Sequence, residues 1–118
     1  MGWIDSNDAK GKWGTWLQVI NELNRMEMNM TRMDKDTKGL RQLCSSMERI
    51  RHYLKGMDIE IVRMLGDEYR EGMVADVEFE VDESIPAGVS RITMVKRPQV
   101  NYRGVMVQKA LVTVAQNK

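Results

Sequence analysis

Apolar residues at Leu40, Leu43, Met47, Ile50, Leu54, Met57, Ile61 and Met64 step alternately by three and four residues. This is a heptad repeat with every a and d position filled, and it predicts a helix running through to Met64. The positions between are mostly Arg, Glu, Gln, Ser, Lys and Asp, so the apolar stripe is narrow. A helix lying against a whole core carries a wider one. A narrow stripe suits a partner helix, and these residues are the expected seam of a homodimer. The alternative is a helix folded back on the N-terminal helix of its own chain.

A second stretch of the same kind precedes it. Trp16, Val19, Leu23, Met26, Met30 and Met33 also step by three and four, and Thr15 is placed to serve as an N-cap. The two stretches meet in Asp34-Lys35-Asp36-Thr37-Lys38-Gly39. Gly39 costs roughly 1 kcal/mol against Ala inside a helix. The pattern predicts a long first helix with a break or irregularity near 34–39. Residues 1–12 carry Gly2, Ser6, Asn7, Asp8 and Gly11 with little periodicity and read as a leader, in which Trp3 and Ile4 could dock.

Beyond Met64 the period changes. Gly66 suits a left-handed C-cap, and Asp67 to Gly72 reads as a connecting loop. Val77, Phe79 and Val81 alternate with Asp76, Glu78, Glu80 and Asp82, which predicts a half-buried strand. Ile85-Pro86-Ala87-Gly88 is a turn, and Val89 to Val95 a second strand that Pro98 brings to an end. Val100 and Tyr102 lead to a turn at Arg103-Gly104. Val105 to Gln108 and Ala110 to Val114 read as a strand pair or one bent strand. The expected fold class is α+β, with a leader and helical dimerisation region over 1–66 and a small antiparallel β domain over 67–118. So small a sheet buries little alone and is expected to lean on the helices.

Composition narrows the function. The chain has 118 residues and a net charge of +1, with both signs interspersed. That argues against a dominant phosphate-binding surface. No apolar run approaches the ~20 residues that span a bilayer. The opening Met1-Gly2-Trp3-Ile4-Asp5 lacks the pattern of a secretory signal, and one cysteine, Cys44, allows no intrachain disulfide and fits a reducing cytoplasm. The eleven methionines favour adaptable seam and core packing over a Met-rich binding groove.

Candidate catalytic groups are few. His52 lies among charged residues on a predicted helix, and Cys44 has no basic partner at a catalytic spacing. Zinc needs several Cys or His ligands, and one of each exists. Asp76, Glu78, Glu80 and Asp82 share a strand face and read as a solvated acidic surface before a glycosidase pair or hard-metal site. No nucleotide-binding loop or nucleophile elbow is present. The sequence thus predicts a non-enzymatic binding protein without a cofactor. Lys96 and Arg97, with Tyr102 and Arg103, form a basic cluster suited to an acidic protein partner, and less readily to nucleic acid.

Helix first, then a small β domain closing on a short apolar strand, resembles the GrpE nucleotide exchange factors of DnaK-type chaperones. Pro86-Ala87-Gly88 resembles the family's turn before its central strands, Asn101-Tyr102-Arg103-Gly104 its next turn, and Ala110 to Ala115 its closing strand. Gly66 to Met73 resembles a further segment loosely, without its His-Glu pair. The resemblance covers about residues 66–115; the helical half matches in pattern. It implies paired helices and a β domain that wedges open the chaperone's nucleotide-binding lobe, lowering its affinity for ADP. The implied chaperone-facing residues are Lys96, Arg97, Tyr102, Arg103, Gly104, Val105 and Gln108. The chain departs from the family at Val105 and Gln108, where an Arg is common, so a bidentate contact available to the family is absent. A coiled-coil adaptor binding an unrelated protein is the alternative, followed by a nucleic-acid module.

Overall fold

The computed structural model describes residues 13–117; the leader containing Trp3 and Ile4 lies outside the described residues. Two helices, α1 (Gly14–Thr31) and α2 (Leu40–Gly56), are followed by six strands. These are β1 (Ile59–Ile61), β2 (Ala75–Val81), β3 (Ser90–Arg97), β4 (Val100–Tyr102), β5 (Val105–Gln108) and β6 (Ala110–Gln116). The fold is α+β, with one three-stranded sheet in the order β1-β4-β5 and another in the order β2-β6-β3.

The helices separate where the sequence is weakest. After Thr31 the chain makes turns until Gly39, which caps α2 with φ 88°, a left-handed conformation that glycine adopts without a Cβ clash. Two helices therefore stand in place of one long one. α1 starts two residues earlier than a Thr15 cap would place it, with Trp13 at the N-cap and no side-chain cap bond. Its buried residues are Ile20, Asn24, Met28 and Met30, whereas Val19, Met26 and Met33 of the predicted stripe are exposed. The buried face passes through a polar residue, which hid it from a hydrophobic count. Asn24 is tolerated there because its amide donates to the Val95 carbonyl at 2.8 Å.

The predicted seam does not lie on one helix. α2 ends at Gly56, Asp58 turns the chain with φ 66°, and Ile61 belongs to β1. Met64 lies beyond that strand and packs in the core with Ile92 and Val112. Ile59-Glu60-Ile61 also carries a period-two pattern, and pairing of β1 with β4 settles that segment as strand. On α2 itself Met47 and Leu54 are buried, and Ile50 packs against the same core as Leu54. Leu40 is half-buried, while Leu43 and Met57 are exposed. Much of the stripe is thus buried within its own chain, and Leu43 and Met57 are the part left exposed.

Two cores result. One gathers Met28, Met64, Ile92, Val95, Ala110, Val112 and Val114 over the β2-β6-β3 sheet. The other gathers Trp13, Ile20, Leu54, Ile59 and Val100, between the helices and the β1-β4-β5 sheet. α1 contributes to both. Between them, the Asn21 and Gln108 side-chain amides bond to each other at 2.8 and 3.2 Å, and Gln108 Nε2 also donates to the Pro98 carbonyl at 2.8 Å.

The β half departs from all-antiparallel pairing. β6 runs antiparallel to β3 but parallel to β2. It is the central strand, flanked on both edges; Ala110, Val112 and Val114 are buried on one face, while Leu111 and Thr113 on the other are half-buried. β5 and β6 are neither a pair nor one bent strand, since β5 pairs with β4 in the other sheet. The predicted connecting loop after Gly66 lies along β3, where Gly66 N–H donates to Ile92 and Tyr69 N–H to Ser90. β2 is half-buried only at its start: Val77 packs on the core, while Phe79 and Val81 are 57% and 61% exposed.

Candidate functional site

The β4–β5 hairpin carries the most prominent candidate surface. Tyr102 and Val105 pair across a two-residue loop, and Arg103 and Gly104 both take positive φ, 50° and 79°. That combination is the type I′ geometry, whose twist matches the flanking strands. Glycine suits the second position; arginine at the first is held from three directions. Its backbone N–H donates to the Asp58 carbonyl at 2.9 Å, its Nε lies 3.5 Å from the Asp58 carboxylate, and its guanidinium sits 5.1 Å from the Tyr102 ring centroid. Tyr102 in turn meets the edge of Trp13, at 5.0 Å between centroids. Anchored in this way, the hairpin presents Val105 and Met106, both about 40% exposed, outward.

The other predicted contact residues are placed differently. Lys96 and Arg97 lie on β3, in the second sheet, rather than beside Arg103. Lys96 pairs with Glu78, and Arg97 with Asp76 at 3.4 Å. Arg97 Nε also donates to the Lys109 carbonyl at 3.1 Å, and Lys109 reaches Asp76 at 3.0 Å. The basic cluster of the sequence is therefore a set of cross-strand ion pairs on one sheet and a separate Arg103–Asp58 pair on the other. Gln108 is turned inward, with its amide committed to Asn21 and Pro98. A surface whose cations already face carboxylates offers little to a phosphate backbone.

The candidate reactive groups stay apart. Cys44 is exposed on α2 and His52 stands beside Tyr53 on the same helix. No group of three metal-binding side chains occurs among the described residues. The acidic face of β2 is engaged with Lys96, Arg97 and Lys109. Farther along, the Ser84 hydroxyl and backbone N–H both donate to the Asp82 carboxylate and hold its pKa below the ordinary carboxylate value. That favours a permanently charged turn residue over a proton donor. A cleft of about 180 Å³ lies where α1, α2 and residues 62–65 meet. This is below the roughly 300 Å³ of a small ligand site, and its charged side chains are paired with one another, although the buried Nε of Arg51 has no hydrogen-bond partner among the described residues. Arg51 bonds Glu27 and donates to the Ile61 carbonyl, and Arg63 reaches both Glu27 and Glu48.

Sequence reasoning passed over two exposed features. Met106 follows Val105 on an edge strand, and the outer half of β2 is uncovered; the alternation marked both as strand without showing how far the core extends beneath them. No helix among the described residues is long and apolar enough to cross a membrane. No family model matches the chain, and no curated protein matches it in sequence.

Proposed function

We propose that this chain is a GrpE-like co-chaperone, which binds the nucleotide-binding domain of a DnaK-type chaperone and promotes ADP release. The observation that carries the reading is the order of structure along the resembling segments. Pro86-Ala87-Gly88 forms the turn before β3, Arg103-Gly104 turns the β4–β5 hairpin, and Ala110 to Ala115 lies within the closing strand β6. Turn, hairpin turn and closing strand come in the order the resemblance leads one to expect, which supports the reading.

The hairpin end is the contact this reading favours. Val105 and Met106 supply exposed apolar area beside the guanidinium of Arg103, and apolar centres flanked by arginine suit a protein interface. Where the family commonly uses Arg to make a charge-assisted contact, Val105 makes an apolar one. Gln108 acts from inside, fixing β5 to α1. A ligand that binds the open lobe better than the closed one shifts the population toward it, and ADP then leaves faster.

The test is release of a fluorescent ADP analogue from a DnaK-type chaperone. The protein should accelerate release at least about tenfold, a 1.4 kcal/mol change in barrier. Val105→Asp, at an exposed turn-flanking site, should abolish the acceleration while leaving the circular dichroism unchanged. Unaltered release in the presence of the folded protein would refute the reading.

A further inference from the structure

β2 hydrogen-bonds to β6 along one edge, and no strand among the described residues pairs with its other edge. The outward backbone groups can be assigned. Asp82 N–H donates toward β6, to the Gln116 carbonyl at 2.9 Å. Alternate residues of a strand point their N–H and C=O to the same side, so Asp76, Glu78 and Glu80 also bond toward β6. The amides and carbonyls of Val77, Phe79 and Val81 then face the open edge.

Exposed edges are usually blunted by lysine, proline or a bulge. The segment Ala-Asp-Val-Glu-Phe-Glu-Val has no lysine or proline, and its register with β6 is unbroken. Phe79 and Val81 stand exposed on one face, the Phe79 ring held against the edge of Tyr69 at 5.9 Å. On the other face Asp76 and Glu78 have cationic partners. Glu80 bonds only the Thr93 hydroxyl among the described residues, at 3.1 Å, and the chain continues into Asp82 and Glu83. The far end of this edge is thus apolar on one face, acidic on the other, and open between them.

A second copy fits this edge poorly. The antiparallel registers that pair β2 most fully with itself and keep both cores on the same side set Glu78 and Glu80 of one copy opposite acids of the other, and like charges directly opposite are destabilising. The complementary chemistry is basic. We infer that the open edge of β2 docks an extended segment of another protein in which basic and apolar residues alternate. Its backbone extends the sheet through Val77, Phe79 and Val81, its apolar side chains cover Phe79 and Val81, and its basic side chains meet Glu80 and the acids beyond it.

The experiment uses the full chain and a peptide of alternating Lys and Val as long as β2. Its controls are an alternating Glu and Val peptide and a block peptide of the same Lys and Val content. Amide NMR titration should show saturable shifts at Val77, Phe79 and Val81 with the alternating basic peptide. The block peptide should bind roughly tenfold more weakly, a 1.4 kcal/mol difference, and the acidic one not at all. Val81→Pro removes one outward N–H and leaves the β6 ladder intact; it should weaken binding about as much. Glu80→Lys, at an exposed side chain, should reverse the preference between the basic and acidic peptides even if the proline variant folds poorly. Equal binding of the alternating and block peptides, or a preference that Glu80→Lys leaves unchanged, would overturn the proposal. So would a dimer in sedimentation that Glu80→Lys strengthens, which would make the occupant a second copy. None of these readouts involves a chaperone or ADP, so the result stands apart from the exchange reading.

Discussion

Asp58 and Arg103 are the two non-glycine residues with positive φ among those described, at 66° and 50°, and they are bonded to each other through both backbone and side chain. Asp58 follows the C-cap of α2, a position usually given to glycine. Its N–H closes the helix by donating to the Lys55 carbonyl at 2.9 Å, while its own carbonyl receives Arg103. One strained residue therefore ends a helix and anchors the hairpin that carries Val105. The backbone and ion-pair contributions can be separated. Both side chains of the pair are more than half exposed, so the pair contributes at most about 1 kcal/mol. Left-handed backbone costs an ordinary L-residue roughly 1–2 kcal/mol, and glycine almost nothing. Asp58→Gly and Asp58→Ala remove the same carboxylate, yet Asp58→Ala should be less stable by about 1 kcal/mol in urea unfolding. Equal stability of the two variants would place the whole effect in the ion pair.

At the scale of elements, the heptad was legible as an apolar repeat but not as a helix boundary. Leu40 to Leu54 does form a helix, and the break near 34–39 falls where glycine and the charged turn residues put it. The repeat then runs on through Ile61 and Met64 because a strand and a loop happen to place apolar residues at the same interval. What makes the residues after Asp58 a strand rather than more helix is the availability of β4 as a partner for β1, a long-range fact that no local window contains. The buried face of α1 departs from the apolar repeat for a related reason: Asn24 is buried by virtue of a carbonyl on β3, seventy-one residues away. These corrections change what a seam mutation should do. Leu54 packs with Trp13, Ile20 and Val100, and Leu54→Asp places a carboxylate in that core, at a cost of several kcal/mol. It should unfold the chain rather than dissociate a dimer. Leu43 and Met57 are the seam residues left exposed. If two copies pair, they do so there, and Leu43→Glu should convert a dimer into a folded monomer in sedimentation with circular dichroism unchanged. A chain that is monomeric before the substitution would remove the homodimer from the exchange-factor reading.

Across the whole molecule, strand positions were readable from period-two patterning, whereas their partners were not. The run Ala110 to Val114 signals a strand, but nothing local says that β6 enters between β2 and β3 or that it runs parallel to β2. The same limit divided the basic residues. Lys96, Arg97 and Arg103 are close in sequence, yet Pro98 lies at a crossing between two sheets, and the cations part there. α1 is what joins the sheets, with Trp13 and Ile20 in one core and Met28 in the other, and with Asn21 and Asn24 bonded at the junction. This arrangement predicts one cooperative unit. Ile20 is fully buried, and Ile20→Ala should cost about 2–5 kcal/mol through lost burial and the cavity left behind. If α1 couples the cores, native-state hydrogen exchange should register that loss at Val112 and Val114, in the other core, as fully as at Val100. Retained protection at Val112 and Val114 with loss at Val100 would show instead that the two sheets open independently. The hairpin surface and the β2 edge would then lie on separately folding units, and a partner bound at one could not stabilise the other.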